Sequence, residues 1–195
     1  GRYLLCAVRL IPDINADLII EAFRNVEVDW KLADAGEADY RGNKKERRFR
    51  EQLLSLADSR VVFLGHVHEK GVFDELLCNS FAYVHGHEYG GINPSLLQAL
   101  GAGCMVLALN TPFSAEALNH GEYGLLYEKR ADDLAGKITE ICHRPETADG
   151  FRLKARRRIE ERFSWDLITR QYEDLFRRLV RGKNPTATTG DRSPY

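Results

Sequence analysis

Two spacings of apolar positions alternate along the chain. YLLCAVR (residues 3–9), RVVFLGHV (60–67, ending as a strand at Gly65), FAYVHG (81–86), CMVLAL (104–109) and GLLYE (124–128) are short, nearly continuous apolar runs. Runs of that length, rich in β-branched and aromatic residues, predict strands buried on both faces. DWKLAD (29–34) is a weaker example. Between these runs, ADLIIEAF (16–23), KKERRFREQLLSLA (44–57), EKGVFDELLCNS (69–80), PSLLQALGAG (94–103), SAEALNHG (114–121) and residues 131–143 read as helices. Their apolar residues recur at helical spacing. Asn15 is placed to cap the first of them, and Ser164 the last of two closing helices over about 146–162 and 164–181.

Strands alternating with helices of about ten to fifteen residues imply βαβ units. The expected fold is therefore α/β, a Rossmann-like parallel sheet with helices on both faces. Ligands of such sheets bind outside the carboxyl ends of the strands, where strand order reverses. That singles out the loops after residues 9, 34, 65, 86 and 109. The expected domain covers residues 1–182. The tail from 183 to 195 lacks apolar periodicity and is rich in Gly, Pro, Ser and Thr, so disorder is expected there. The chain opens on Gly1 with a strand already under way, which suggests a piece of a longer protein.

Composition narrows the function classes. The 195 residues are 44% hydrophobic and 29% charged with a formal net charge of -1, which gives no reason to expect nucleic acid as a partner. No apolar run approaches the about 18 residues of a membrane span, and no signal peptide is visible. Cys6, Cys78, Cys104 and Cys142 are scattered without C-x-x-C or zinc-like spacing. Buried, reduced thiols in a cytoplasmic protein are the expectation. RLKARRRIEERF (152–163) is the most basic stretch. It reads as a solvated helix face, or else as a contact for anionic membrane lipid or for a missing domain.

The chemistry concentrates in YVHGHEYGGINPSLLQA (83–99). Asn93 before Pro94 is a helix start: a capping side chain, then proline where its missing N–H is not needed. The amides of Ser95 and Leu96, backed by the helix dipole, are expected to make an anion site. Gly90 and Gly91, followed by Ile92, let a ligand approach the backbone closely. A carboxylate at Glu88 would repel phosphate unless it accepts hydrogen bonds from sugar hydroxyls. Phosphate cradle and hydroxyl acceptor together suggest a sugar phosphate or nucleotide sugar; a plain glycine turn with a capped helix is the blander account. His85 and His87 flank Gly86, yet no third ligand stands at metal-site spacing, so no metal is expected. Arg9, at the carboxyl end of the first strand, could aim a guanidinium at a phosphate. G-x-G-x-x-G and G-x-x-x-x-G-K-[ST] are both absent, which argues against an NAD enzyme or P-loop NTPase.

AVRLIPDINADLIIEAF, VVFLGHV, EYGGINPSLLQALGAGCMVLAL and SAEALNHGEYGLLY, in that order, resemble the carboxyl-terminal half of family 4 glycosyltransferases. These are retaining enzymes with two Rossmann-like domains, the GT-B architecture. The H-G-H-E-x-G-G-x-N-P-S-L-L run is similar to a bacterial rhamnosyltransferase-like subgroup. The resemblance implies a donor-binding domain for a nucleotide diphosphate sugar, serving polysaccharide assembly in the cytoplasm or at the inner membrane face. It also implies an amino-terminal acceptor domain as partner. Arg9 would contact the donor diphosphate, with Val8 and Ile14 in place of the family's glycine and lysine. Gly65, His66 and Val67 would meet the base through their backbone. Glu88 would hold the donor sugar, and Gln98 stands where a glutamate binds the ribose diol. The 88-to-98 spacing is two residues longer than the family's E-x7-E. The rivals are a non-catalytic nucleotide-binding module and a two-domain nucleotide-sugar epimerase.

Overall fold

The computed structural model describes residues 2–7, 14–36 and 44–180. Arg9 and the tail from 183 to 195 lie outside these residues. All six expected strands and eight expected helices form among them. The strands are β1 (Tyr3–Cys6), β2 (Lys31–Asp34), β3 (Val61–Phe63), β4 (Ala82–His85), β5 (Val106–Leu109) and β6 (Leu125–Tyr127). The helices are α1 (Ala16–Arg24), α2 (Lys44–Leu56), α3 (Lys70–Asn79), α4 (Pro94–Gly101), α5 (Pro112–Ala117), α6 (Ala131–His143), α7 (Pro145–Arg162) and α8 (Trp165–Val180).

The strands form one parallel sheet in the order β3-β2-β1-β4-β5-β6. Winding runs outward from β1 through β2 to β3, then restarts on the other side of β1 with β4. The reversal point lies between β1 and β4, where Leu4 pairs with Ala82 and Leu5 with Tyr83.

Alternation along each strand sorts the core into two layers. Leu4, Leu32, Ala82, Val84 and Leu107 face a layer with Ile19, Ile20 and Phe23 of α1, Leu53 of α2 and Ile138 of α6. Leu5, Tyr83, Val106 and Ala108 face the other, with Leu77 of α3, Leu96 and Leu100 of α4 and Ala117 of α5. α7 gives Ala148 to the first layer and Ala155 to the second. Both faces are covered, which explains why the strands read as unbroken apolar runs.

The basic stretch on α7 does more than face solvent. Arg152 donates to the carbonyls of Ser80 and Phe81 at 2.8 and 2.5 Å, just beyond α3. Arg156 reaches the Ala102 carbonyl beyond α4 at 3.4 Å. Arg158, only 7% exposed, donates to Ala117 and Glu116 at 2.9 and 2.5 Å, in the last turn of α5. Helix ends leave carbonyls without intrahelical partners, and a cation there also meets the negative end of the dipole. One helix thus caps three others.

Two compact units are found, Gly1–Ile159 and Glu160–Tyr195. In the second, α8 buries no residue and exposes Trp165, Tyr172, Leu175, Phe176 and Leu179. Of the cysteines, all free, Cys6 and Cys104 are buried and Cys142 partly so, but Cys78 is exposed on α3, contrary to the expectation of burial.

Candidate functional site

The crevice at the β1/β4 reversal is built by the loop after β4 and the start of α1. Gly86 begins that loop, and a Cβ there would overlap the Ile14 carbonyl oxygen. Glycine alone lets the two backbones touch. Ile14 is itself buried, 3% exposed, so its side chain serves the core. Asn15 corrects the sequence reading. Its φ of 55° is left-handed and its side chain makes no cap to α1. Instead Nδ2 donates to the Gly86 carbonyl at 2.8 Å, which ties the α1 start to the β4 loop.

Gly90 and Gly91 have φ of 107° and 84°, a left-handed pair that side chains other than glycine rarely adopt. Behind them Asn93 caps α4 as expected, with Pro94 in the first turn. The cap corrects one expectation. Asn93 Oδ1 accepts the Ser95 amide at 2.9 Å and its hydroxyl at 2.8 Å, while the Leu96 amide donates to the Asn93 carbonyl at 3.1 Å. Neither amide is free as the site stands: the Asn93 side chain takes that of Ser95 and the Asn93 backbone carbonyl that of Leu96. The dipole of α4 still points its positive end into the crevice. Beneath it the buried Tyr83 hydroxyl donates to Ser95 Oγ at 3.0 Å and fixes that hydroxyl from below.

His85 is 2% exposed, and desolvation, with His87 adding to it, lowers its pKa to about 3. It is a neutral imidazole, able to donate or accept a hydrogen bond but not to supply charge. His87 stacks on it at 4.5 Å. Among the described residues no group of three or more His, Cys, Asp or Glu side chains is placed to hold a metal ion.

Glu88 meets a partner that sequence reasoning missed. Lys129, just past β6, donates to Glu88 Oε2 at 2.6 Å. Hydrogen bonding from Lys129 holds the Glu88 carboxyl below its usual range, with help from Asn15 and Tyr89. The signal was available: Lys129 follows a strand at its carboxyl end, in the one loop left out of consideration. Gln98 is partly buried on α4, and its Nε2 donates to Asp74 of α3 at 2.9 Å. Gly65 has φ of 73°, and His66 contacts the His68 ring at 4.0 Å in the loop after β3. The structure thus brings Glu88, Gly90, Gly91, Ile92, Asn93, Ser95 and Leu96 into one loop and helix start. Gly65, His66 and Val67 stand on the loop after β3, at the same carboxyl edge.

A separate open hollow of about 450 Å³ is lined by Ala102, Gly103, Asp149, Arg152, Leu153 and Arg156. It lies before β5, at the opposite edge of the sheet. Arg152 and Arg156 there are committed to helix-end carbonyls.

One family model, described as glycosyl transferases group 1, matches residues 1–158, which hold the whole sheet and the reversal crevice. The chain belongs to that family. It is 28% identical over 199 residues to the exopolysaccharide phosphotransferase SCO2592 of Streptomyces coelicolor, covering 99% of this chain and 20% of that protein. It is 27% identical over 184 residues to the human alpha-1,3/1,6-mannosyltransferase ALG2, covering 87% of this chain and 44% of that one. Among solved structures, Anabaena Alr3699/HepE in complex with UDP superposes with a TM-score of 0.80 at 18% identity, over 90% of this chain and 48% of that one. This glycosyltransferase domain therefore spans less than half the length of each of these proteins. Its fold is the Rossmann-like half of a GT-B architecture.

Proposed function

We propose that this domain binds the donor of a retaining glycosyltransferase, which moves a sugar from a nucleotide diphosphate sugar to an acceptor hydroxyl in cell-surface polysaccharide assembly. The observation that carries this reading is the placement of Glu88 and the Gly90-Gly91 approach to α4 at the β1/β4 reversal point. A nucleoside diphosphate leaving group develops negative charge, and a helix N-terminus preorganised beside it stabilises that charge. Arg9, outside the described residues, would add a guanidinium to the diphosphate. Glu88, held ionised by Lys129, would accept donor-sugar hydroxyls, and the loop at Gly65, His66 and Val67 would meet the base. The phosphate needs no metal in this reading, because the helix and Arg9 supply the positive charge.

The remaining half of the relatives' length would hold the acceptor and close the cleft around the sugar. The exposed apolar stripe of α8 offers that half a surface to cover. That the Anabaena protein was crystallised with UDP and with UDP-glucose supports a nucleotide-sugar donor, and the mannosyltransferase name supports sugar transfer. No described helix is long and apolar enough to cross a membrane. Cytoplasmic placement with peripheral contact at the inner membrane face fits the reading.

The test is calorimetry on the full-length protein with UDP, GDP, dTDP and their sugars, with and without EDTA. One nucleotide should bind, its sugar form should bind better, and EDTA should change neither. Glu88→Ala should weaken the sugar form while sparing the nucleotide. Arg9→Ala should weaken the diphosphate by about 1.5–3 kcal/mol, the range for a charge-assisted hydrogen bond, and leave the nucleoside unaffected. Product analysis separates transfer from epimerisation or from binding alone.

A further inference from the structure

We propose that Lys129 is the positioning residue for Glu88, holding its carboxylate over the crevice so that the sugar of a nucleotide-sugar donor meets an oriented, ionised acceptor. This rests on the reading of Glu88 given above, and adds to it a residue from a different strand. Lys129 Nζ and Glu88 Oε2 are 2.6 Å apart, with side chains 54% and 24% exposed. The two residues are separated by 41 positions in the chain. Glu88 follows β4 and Lys129 follows β6, so the ion pair spans the carboxyl end of the intervening β5.

What makes this more than a chance surface contact is how firmly both ends are held. On the lysine side, the Tyr127 carbonyl accepts the Asn110 amide at 2.7 Å, and Asn110 Nδ2 donates to Glu128 Oε1 at 2.8 Å. The Glu128 amide donates to Asp133 Oδ2 at 2.7 Å, and the Arg130 amide to the Glu128 carbonyl at 2.6 Å. The residues on either side of Lys129 are thereby pinned. Tyr127, fully buried, donates its hydroxyl to the His85 carbonyl at 3.1 Å, which joins the end of β6 to the end of β4 directly. On the glutamate side, Asn15 holds the Gly86 carbonyl, two residues before Glu88. A long flexible lysine ordinarily loses rotamer freedom to make a surface ion pair, and the gain is small. Here the backbone on both sides is hydrogen-bonded in place, so the pair has only side-chain rotamers, and no loop backbone, to order.

The chemistry follows from the charges. A carboxylate beside a helix N-terminus that receives phosphate is repelled by the phosphate. The Lys129 ammonium, bound to one carboxylate oxygen, fixes the orientation of the carboxylate and favours its ionised form. Asn15 and Tyr89 also hydrogen-bond the carboxylate, and its remaining lone pairs serve a hydroxyl donor. The other groups facing the pair are Tyr89 in the same loop, and Asn15 and Asp17 at the start of α1. Lys129 lowers the pKa of Glu88, so without it the carboxylate protonates at higher pH.

The test uses full-length protein and the sugar nucleotide most strongly preferred over its parent nucleotide in a panel of UDP-, GDP- and dTDP-sugars. Affinities of both are measured from pH 4 to 8 for wild type, Lys129→Met, Lys129→Arg and Glu88→Gln. Lys129→Met should weaken the sugar form by about two- to fivefold, the range of an exposed ion pair, and leave the nucleotide unchanged. Its acid limb should move to higher pH, and Lys129→Arg should restore both. If Lys129→Met weakens nucleotide and sugar nucleotide equally, or leaves the acid limb in place, the proposal is overturned while the donor site stands. If Glu88→Gln leaves the sugar preference intact, or no sugar form is preferred, the underlying reading of Glu88 fails first and takes the proposal with it.

Discussion

Asp34 ends β2 opposite Cys6 and is 2% exposed, with no hydrogen-bond partner for Oδ1 among the described residues. Burial pushes its carboxyl up to about 7, partly offset by the Cys6 thiol and the Gly36 amide. An unfolded aspartate titrates near 3.9. Between about pH 4 and 7 the folded chain therefore keeps a proton that the unfolded chain has released. Unfolding frees that proton, so raising the pH favours the unfolded state across this window. Roughly three pH units at about 1.4 kcal/mol each put the total loss on the order of 4 kcal/mol, complete above pH 7. Asp34→Asn replaces the carboxyl with a neutral amide of the same shape. Near pH 4 the variant should match wild type; at pH 8 it should be more stable by about 2–4 kcal/mol. For a chain of this size each kcal/mol moves the midpoint by about 2–4 °C, so the gap is visible in thermal melts as well as in urea titrations. Both proteins should be melted at half-unit pH steps, because the other titrating groups cancel in the difference. A difference that stays flat from pH 4 to 8 would refute the reasoning, and would mean that Asp34 is ionised and solvated in the folded state.

Two further predictions concern the scaffold around the site. Arg158→Met should destabilise the domain by about 2–4 kcal/mol in urea titrations, since it strands the Ala117 carbonyl at the α5 end and leaves the Glu116 carbonyl only the Asn119 amide. Arg158→Lys should recover little, because one ammonium cannot reproduce the forked pair. Gly86→Ala should lower both the melting temperature and nucleotide-sugar affinity, because the new Cβ forces the Ile14 carbonyl and the β4 loop apart; unchanged affinity in a folded variant would show that the α1 contact does not shape the crevice.

The sheet and its helices were legible in the chain because each element announces itself over a few residues. Leu4, Leu5, Val84 and Leu107 sit in strands covered on both sides, so a continuous apolar run suffices to predict them. The α4 start was equally local: Asn93, Pro94 and the Ser95 amide lie within three positions, and the cap forms as the dipeptide predicts. Where the local reading failed, a distant group won. Asn15 has the right side chain for a cap, yet the Gly86 carbonyl, 71 positions away, takes its amide instead. The resemblance implies that Ile14 replaces a lysine, which reads as a lost cation; the fold makes Ile14 core, 3% exposed. The basic run on α7 could be read as a solvated face, whereas Arg152, Arg156 and Arg158 find the ends of three helices brought near one another by the sheet. The pairing of Glu88 with Lys129, of Gln98 with Asp74, and the isolation of Asp34 follow in the same way from strand order. Periodicity carries information about what each residue turns toward, core or solvent. Only the tertiary structure decides which neighbour it meets there, because that depends on placing β4 beside β1 and β6 beyond β5.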